Sequence, residues 1–541
     1  MRLSRVLLIW LVCLAPPACH ARVATSGPNT STLVVAVRND PRSLNPLLLE
    51  GVTAYTFGGL LYSYLTTYDQ HGDLVGDLAL AVPSVANGGI SADGRTLTFH
   101  LRRNAHWQDR APVTSRDVAF TYRAIINPAN NVPERYGYDV VSAAETPDPY
   151  TLVVRLKRRF SPIVSLFFGG DSNYPILPAH LLAKYPTINA VAFNASPVGS
   201  GPYRFARWER GDRIELDAND AYYAGKPHIA HLVLPVVPDD STIIDQLRTG
   251  ELSAGFFTDT SRVRELRALP NHRLVVTPVP YFYALGFNLD VQALGDRTVR
   301  SGIAEAIDNE MLARKITLGV DDARHATRGL FTWAYDPHVS TAPYDPEGAK
   351  SLLSRDGWIP GPDGIRVKNG KRLSLQLAFP VGSNVTTEMA TAIATAERQI
   401  GVDVTLRQYD RKQFLSEDGP MIQGRYQLSL FDYQGTYDPD ASWLLACDQR
   451  APHGFNMAHY CNPPVDALLR EGAASYDRAS RIAAYRAVQR TIAVDLPYDF
   501  LCQISEVDVI PVNLGGFIPP LLSPFNFVAN WYWKYATSGR S

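Results

Sequence analysis

Residues 93–126 read DGRTLTFHLRRNAHWQDRAPVTSRDVAFTYRAII, the most locally consistent piece of the chain. Leu97, Phe99 and Leu101 alternate with polar residues, which is the period of a half-buried strand. Asp93-Gly94 before it is a turn pair, with glycine free to take the positive φ that such turns often need. Polar residues around Trp107 follow, then Pro112. Thr114 suits an N-cap, and Asp117, three residues on, imitates the acidic half of a capping box. Val118, Tyr122, Ile125 and Ile126 then recur at helical spacing. The unit is therefore turn, strand, loop with one tryptophan, capped helix.

Outward from this unit, 541 residues are far more than one ordinary core needs, and two or three lobes are expected. A hydrophobic fraction of 46% excludes wholesale disorder. Lys+Arg 52 against Asp+Glu 53 leaves a net charge of -1, so nothing points to nucleic acid or to an anionic membrane surface. The N-terminus reads as a signal peptide over residues 1–21: Arg2 and Arg5 are basic, and residues 6–15 form an apolar run too short to span a bilayer. Two cleavage readings stand open. Ala21, with small Cys19 two residues before it, suits an ordinary signal peptidase. Cys19 is otherwise the lipidated first residue of a lipoprotein, although Pro16 stands where such signals usually carry Leu. Residues 22–32 form a polar tether.

Beyond the leader, strand and helix patterns alternate, which predicts an α/β chain with mixed sheets. Strands are expected at 33–37, 151–156, 213–216, 229–237, 281–289, 373–379, 402–407, 427–431 and 496–501. Helices are expected at 55–65, 175–184, 239–247 (capped by Asp240 or Ser241 and stopped by Gly250), 298–318, 386–400 and 480–493. The tail is aromatic, from Phe525 to Tyr535.

Enzyme signatures are scarce. There is no GxSxG elbow, no P-loop and no GxGxxG. His228 and His231 lack the intervening Glu of a zincin. Asp432, Asp438 and Asp440 form the best acidic cluster. It reads as a binding-cleft wall, a calcium loop or a paired-carboxylate site, but the sequence turns apolar directly after Asp440. Cys447 and Cys461, fourteen apart in an exported chain, suit a disulfide worth about 3 kcal/mol. The rival is a zinc set with His453 and His459, whose spacing matches no familiar zinc signature. Cys502 is left as a buried thiol. No cofactor and no resident metal are expected.

The opening unit closely resembles a signature of the bacterial family 5 extracellular solute-binding proteins, the oligopeptide- and dipeptide-binding group that serves ABC importers. The resemblance runs on in order through Ser43-Leu44-Asn45-Pro46, Pro175-Ile176-Leu177-Pro178, Pro197-Val198-Gly199-Ser200-Gly201, Asn219-Asp220-Ala221-Tyr222-Tyr223, Leu247-Arg248-Thr249-Gly250, Asp296-Arg297-Thr298-Val299-Arg300 and Asn462-Pro463-Pro464-Val465-Asp466. It implies a two-lobe periplasmic-binding-protein fold (type II, the large cluster C form) with mixed sheets, a hinge, and an accessory domain inserted in the first lobe. It implies a non-enzymatic, monomeric carrier outside the cytoplasmic membrane, taking a peptide or another small solute to a permease. The corresponding division is first lobe 33–82 and 197–285, accessory domain 83–196, second lobe 286–512, and a return to the first lobe over 513–541.

In peptide-binding members an Asp lies three residues before the acidic residue of an Asp/Glu-Pro pair and receives the peptide's α-ammonium. Here the pair is Asp438-Pro439, so that position is Gly435, and the aromatic usually found three further back corresponds to Asp432. Asp432 or Asp440 substitutes from a shifted position, or the ligand has no free α-amine, or the loop is repacked around backbone contacts. Asp432, Tyr433, Gln434, Gly435 and Tyr437 are expected to line the second-lobe wall, and Thr53, Ala54 and Tyr55 the first-lobe side. An extracellular hydrolase or metal enzyme using Asp432, Asp438 and Asp440, and a carrier of sugars, opines or metal chelates, are the alternatives.

Overall fold

A computed structural model of the chain describes residues 31–339, 342–452, 454–519 and 524–534. The leader, Cys19, the tether as far as residue 30, His453 and Tyr535 lie outside these residues.

Residues 93–126 form the unit their pattern encodes. The strand Thr96–His100 turns Leu97 and Phe99 inward at 0% and 1% exposure and pairs antiparallel with Thr151–Leu156. Val141–Asp148 completes a three-stranded sheet. The helix Ser115–Ile126 starts at its capping box, and the Asp117 carboxylate accepts from Thr114 N at 2.7 Å. The same carboxylate accepts from Ala179 N at 2.8 Å, so one aspartate both starts this helix and docks the next turn. Trp107 is buried beside it and is scaffold.

Around this unit, a four-stranded sheet runs in the order Thr32–Val34, His231–Pro235, Arg213–Ala218, Tyr203–Glu209, its first pair parallel. A continuous apolar core joins it to the 93–126 unit and to Phe525 and Trp531 from the tail. The other lobe is built on a six-stranded sheet in the order Gly255–Phe257, Tyr498–Pro511, His272–Phe287, Leu428–Gln434, Ser374–Pro380, Asp403–Tyr409. Helices Arg297–Ala306 and Asn384–Gln399 cover it over a second core.

Two long strands, His272–Phe287 and Tyr498–Pro511, pass from one core to the other. Ile510 packs in the first core, whereas Leu501, Cys502 and Ile504 pack in the second. Their antiparallel register slips between Pro278 and Phe282. A slipped register with two prolines nearby bends a ribbon locally, and this crossing is the hinge.

Several expected elements are redrawn. The strands expected at 281–289 and 496–501 are only the ends of these two long strands; Pro278, Pro280, Glu506 and Asp508 interrupt the apolar pattern that would have extended them. The expected lobe boundary at 285/286 falls inside the first of them. The helix expected over 298–318 breaks after Ala306, because Asp308 caps a new helix, Asn309–Lys315, by accepting from Met311 N at 2.8 Å. The helix expected over 175–184 shrinks to Ala179–Leu182 behind Pro178. That expected over 55–65 runs instead from Gly51 to Leu61. Asp239, rather than Asp240 or Ser241, caps the helix Asp240–Thr249, which does stop at Gly250 with φ 81°. Cys502 is a buried free thiol. Among the described residues no helix is long and apolar enough to cross a membrane.

Candidate functional site

The site is built from the end of the strand Leu428–Gln434 and the loop that follows it. Alternation along that strand decides what each residue can do. Tyr433 points into the second-lobe core, 5% exposed and stacked on Phe282 at 5.4 Å, so it supports the wall from behind. Asp432 is partly exposed, yet Arg411 holds it bidentately at 2.8 and 3.0 Å, with the guanidinium over the Phe431 ring. Gln434 is exposed and reaches the start of the helix Gly51–Leu61, since a Cβ on Gly51 would stand 3.7 Å from its Oε1.

Gly435 is where the strand meets the hinge. Its N–H donates to Pro280 O at 2.8 Å. A Cβ there would lie 2.7 Å from Pro280 O and 2.9 Å from Gly329 O. Both are backbone atoms that cannot swing away, so no side chain fits at the position where peptide-binding members carry their anchoring carboxylate.

The next residues cross between the lobes. Tyr437 N and Asp438 N donate to the two carboxylate oxygens of Asp171, at 2.7 and 3.1 Å, and Tyr68 OH donates to the same group at 2.7 Å. Tyr437 packs against Tyr68 at 5.1 Å, and Tyr55 joins this small aromatic cluster while its hydroxyl donates to Asp171 O. Asp438 is buried against Arg481 at 2.6 Å. Asp440 accepts from Tyr136 OH at 2.7 Å and Ser442 Oγ at 2.6 Å. Of the first-lobe residues expected at the wall, Thr53 is partly exposed, Tyr55 reaches the crossing, and Ala54 is wholly within the core at 0%.

Asp171 therefore acts as a latch. Burial pushes its carboxyl up to about 6, the charge of Asp438 adding to this against the hydrogen bonds from Tyr68 and Tyr437. A folded-state value above the ordinary 3.8 means that the folded state holds this proton more tightly than the unfolded chain. The resulting stability is fully present below about pH 4 and is lost as the pH rises through about 6. Melting temperatures of the protein and of Asp171→Asn, compared from pH 7 down to pH 4, should shift in favour of the unsubstituted protein at the acid end. Parallel curves would show that Asp171 does not carry this linkage.

The sequence did not single out Asp171, Tyr68, Tyr136, Arg411 or Arg481. The one signal available was Gly169-Gly170 directly before Asp171. A Cβ on Gly170 would meet the Tyr68 ring at 2.5 Å, so glycine there lets Tyr68 come close enough to reach the carboxylate.

The acidic cluster does not converge on one centre, since Asp432, Asp438 and Asp440 each have their own partners: Arg411, Arg481, and Tyr136 with Ser442. Cys447 and Cys461 are joined in a disulfide with Cα atoms 4.5 Å apart. Their sulfurs are thus committed to each other, and His459 Nδ1 faces Asp290 Oδ2 at 2.6 Å. Among the described residues no group of three or more His, Cys, Asp or Glu gathers to hold a metal ion.

Residues 75–451 match the family model described as bacterial extracellular solute-binding proteins, family 5, middle region. The chain belongs to the family 5 extracellular solute-binding proteins. Within this family it is similar to protein XP55 of Streptomyces lividans, 31% identical over 506 residues that cover 91% of this chain and 86% of the relative. It is similar to the oligopeptide-binding protein AppA of Bacillus subtilis, 26% identical over 90% of this chain and 88% of that one. Among solved structures it resembles NikZ from Campylobacter jejuni in complex with Ni(L-His), with a TM-score of 0.79 at 25% identity over 93% of this chain and 99% of that one. As a family 5 solute-binding protein, the chain has the two-lobe fold, and Asp171 meets Tyr437 and Asp438 at the interlobe crossing.

Proposed function

We propose that this protein is the substrate-binding component of an ABC import system, working as a monomer on the outer side of the cytoplasmic membrane. It captures a peptide or peptide-like solute between its two lobes and delivers it to a membrane permease. The observation that carries this is the interlobe crossing itself. A buried carboxylate on one side grips two backbone amides on the other, beside Tyr55, Tyr68 and Tyr437. A hinged ribbon and an aromatic wall suit capture, which needs a cleft, orienting polar groups and a two-state closure. The likeness to a relative named oligopeptide-binding supports peptides as the solute class.

One observation favours a second reading. Gly435 has no room for a carboxylate, and NikZ, a structural neighbour, holds a nickel–histidine complex. Thermal shift separates the two. A casein hydrolysate at about a hundred times the dissociation constant of its best ligand should stabilise the protein by about 2.7 kcal/mol, raising the melting temperature by about 2–3 degrees. Nickel–histidine at the same concentration should leave it unchanged. The reverse pattern would replace the peptide by a metal chelate.

A further inference from the structure

The carboxylate missing at position 435 leaves open where a solute's positive end would be met, and the hinge ribbon offers a place. We propose that Glu506 and Asp508, on the strand Tyr498–Pro511, receive a protonated amine of the captured solute. This rests on the solute-binding reading above and names the chemistry of the solute at that site.

Glu506 and Asp508 are two apart on a regular strand, so their side chains leave the same face. They stand opposite Thr277 and Val275 of the strand His272–Phe287. Three residues beyond Thr277 on that strand, Pro280 O binds Gly435 N. At about 3.3 Å per residue, Glu506 is roughly 10 Å along the ribbon from the vacant anchor position. Tyr281, the next residue, pairs with Gln434 at the wall. Burial holds the Tyr281 phenol up, and the charge of Glu506 adds to it; Tyr437 feels the same charge. Glu506 thus lies toward the aromatic crossing where the solute is expected, with Asp508 next to it on the same strand face.

Asp508 lacks donors among the described residues. Asp508 is 0% exposed and neither of its carboxylate oxygens has a hydrogen-bond partner among the described residues; Thr277 Oγ1, across the ribbon, is also buried without one. A carboxylate only accepts, and a buried acceptor without a donor is costly. The cation whose charge reaches Glu506, Arg38, is already committed to Asp240 at 2.7 Å and to Phe256 O at 3.2 Å. Burial pushes both acids up, and the charge of Glu506 adds to the effect on Asp508. Glu506 is partly exposed, so an entering group meets it first and Asp508 behind it. An ammonium brings three donors and a positive charge, which is the complement this face lacks.

The test uses the full chain, stripped of solute by unfolding and refolding with its disulfide intact. The unsubstituted protein, Glu506→Gln and Asp508→Asn are each mixed with casein hydrolysate, with the same hydrolysate acetylated at every amine, and with a small-molecule extract of bacterial cells. Retained solutes are quantified by mass spectrometry after gel filtration. The unsubstituted protein should retain amine-bearing solutes and lose at least tenfold of its capture when the amines are acetylated. Glu506→Gln should lose at least tenfold from the untreated pool while its solute-free melting temperature does not fall. Equal capture of treated and untreated pools, or untreated capture by Glu506→Gln equal to that of the unsubstituted protein, overturns the proposal. Should only non-peptide solutes be retained, the peptide reading fails by itself; the amine site then stands if those solutes carry a protonated nitrogen and Glu506→Gln loses them, and falls if they do not. Asp508 is fully buried, and if Asp508→Asn fails to fold, Glu506→Gln decides alone.

Discussion

Replacing Arg481 by methionine is expected to lower the unfolding free energy by about 3–5 kcal/mol, the usual consequence of leaving one partner of a buried ion pair uncompensated. Arg481 and Asp438 have side chains only 9% and 8% exposed and meet at 2.6 Å. The guanidinium also donates to Gly472 O at 3.2 Å and lies 5.2 Å from the Trp333 ring centre. Methionine keeps much of the packing and removes the charge, so Asp438 is left buried alone. The loop that Asp438 organises also loses its support, because Asp440 N donates to the same carboxylate at 3.0 Å. Solute capture should therefore fall together with stability. Urea unfolding measures the first effect. Adding Asp438→Asn should return a large part of the loss, because the orphaned charge is then gone. A single variant within about 1 kcal/mol of the unsubstituted protein would mean that the pair contributes little beyond packing.

Installing the carboxylate that peptide-binding members carry, by Gly435→Asp, is expected to damage the protein and to leave amine recognition ungained. The new Cβ would stand 2.7 and 2.9 Å from two backbone carbonyl oxygens, and the carboxylate behind it would face acceptors. Overpacking of this kind costs about 1–3 kcal/mol, and burying an unpaired carboxylate adds to it. Gly435→Ala separates the two contributions, since it carries the steric overlap without the charge. Melting curves of the three proteins should fall in the order Gly, Ala, Asp. A stable Gly435→Asp with tighter capture of amine-bearing peptides would show that the loop rearranges to accept the anchor.

Much of the scaffold was legible because its signals are local. The 93–126 unit declares itself through a turn pair, a period-two strand and a capping box, all within thirty-odd residues of chain. The hinge strands were half-legible. Their core-facing ends read as strands, but Pro278, Pro280, Glu506 and Asp508 break the pattern where the ribbon leaves one core for the other. Gly435 was visible as a departure, but its reason was not, because Pro280 O and Gly329 O approach it from over a hundred residues away in sequence. The latch was invisible for the same reason. Asp171 and Tyr437 lie 266 residues apart, and no spacing rule connects them. Ala54 and Tyr433 are buried beneath the wall they were expected to line, since helix and strand phase turns them toward their cores.

Capture by closure across Asp171 is tested most directly by hydrogen exchange at the amides of Tyr437 and Asp438, with and without a casein hydrolysate. Both amides donate to Asp171 from across the crossing, so solute binding should slow their exchange at least tenfold, and Asp171→Asn should weaken that protection. A solute that binds while these two amides exchange as fast as before would contradict closure across Asp171.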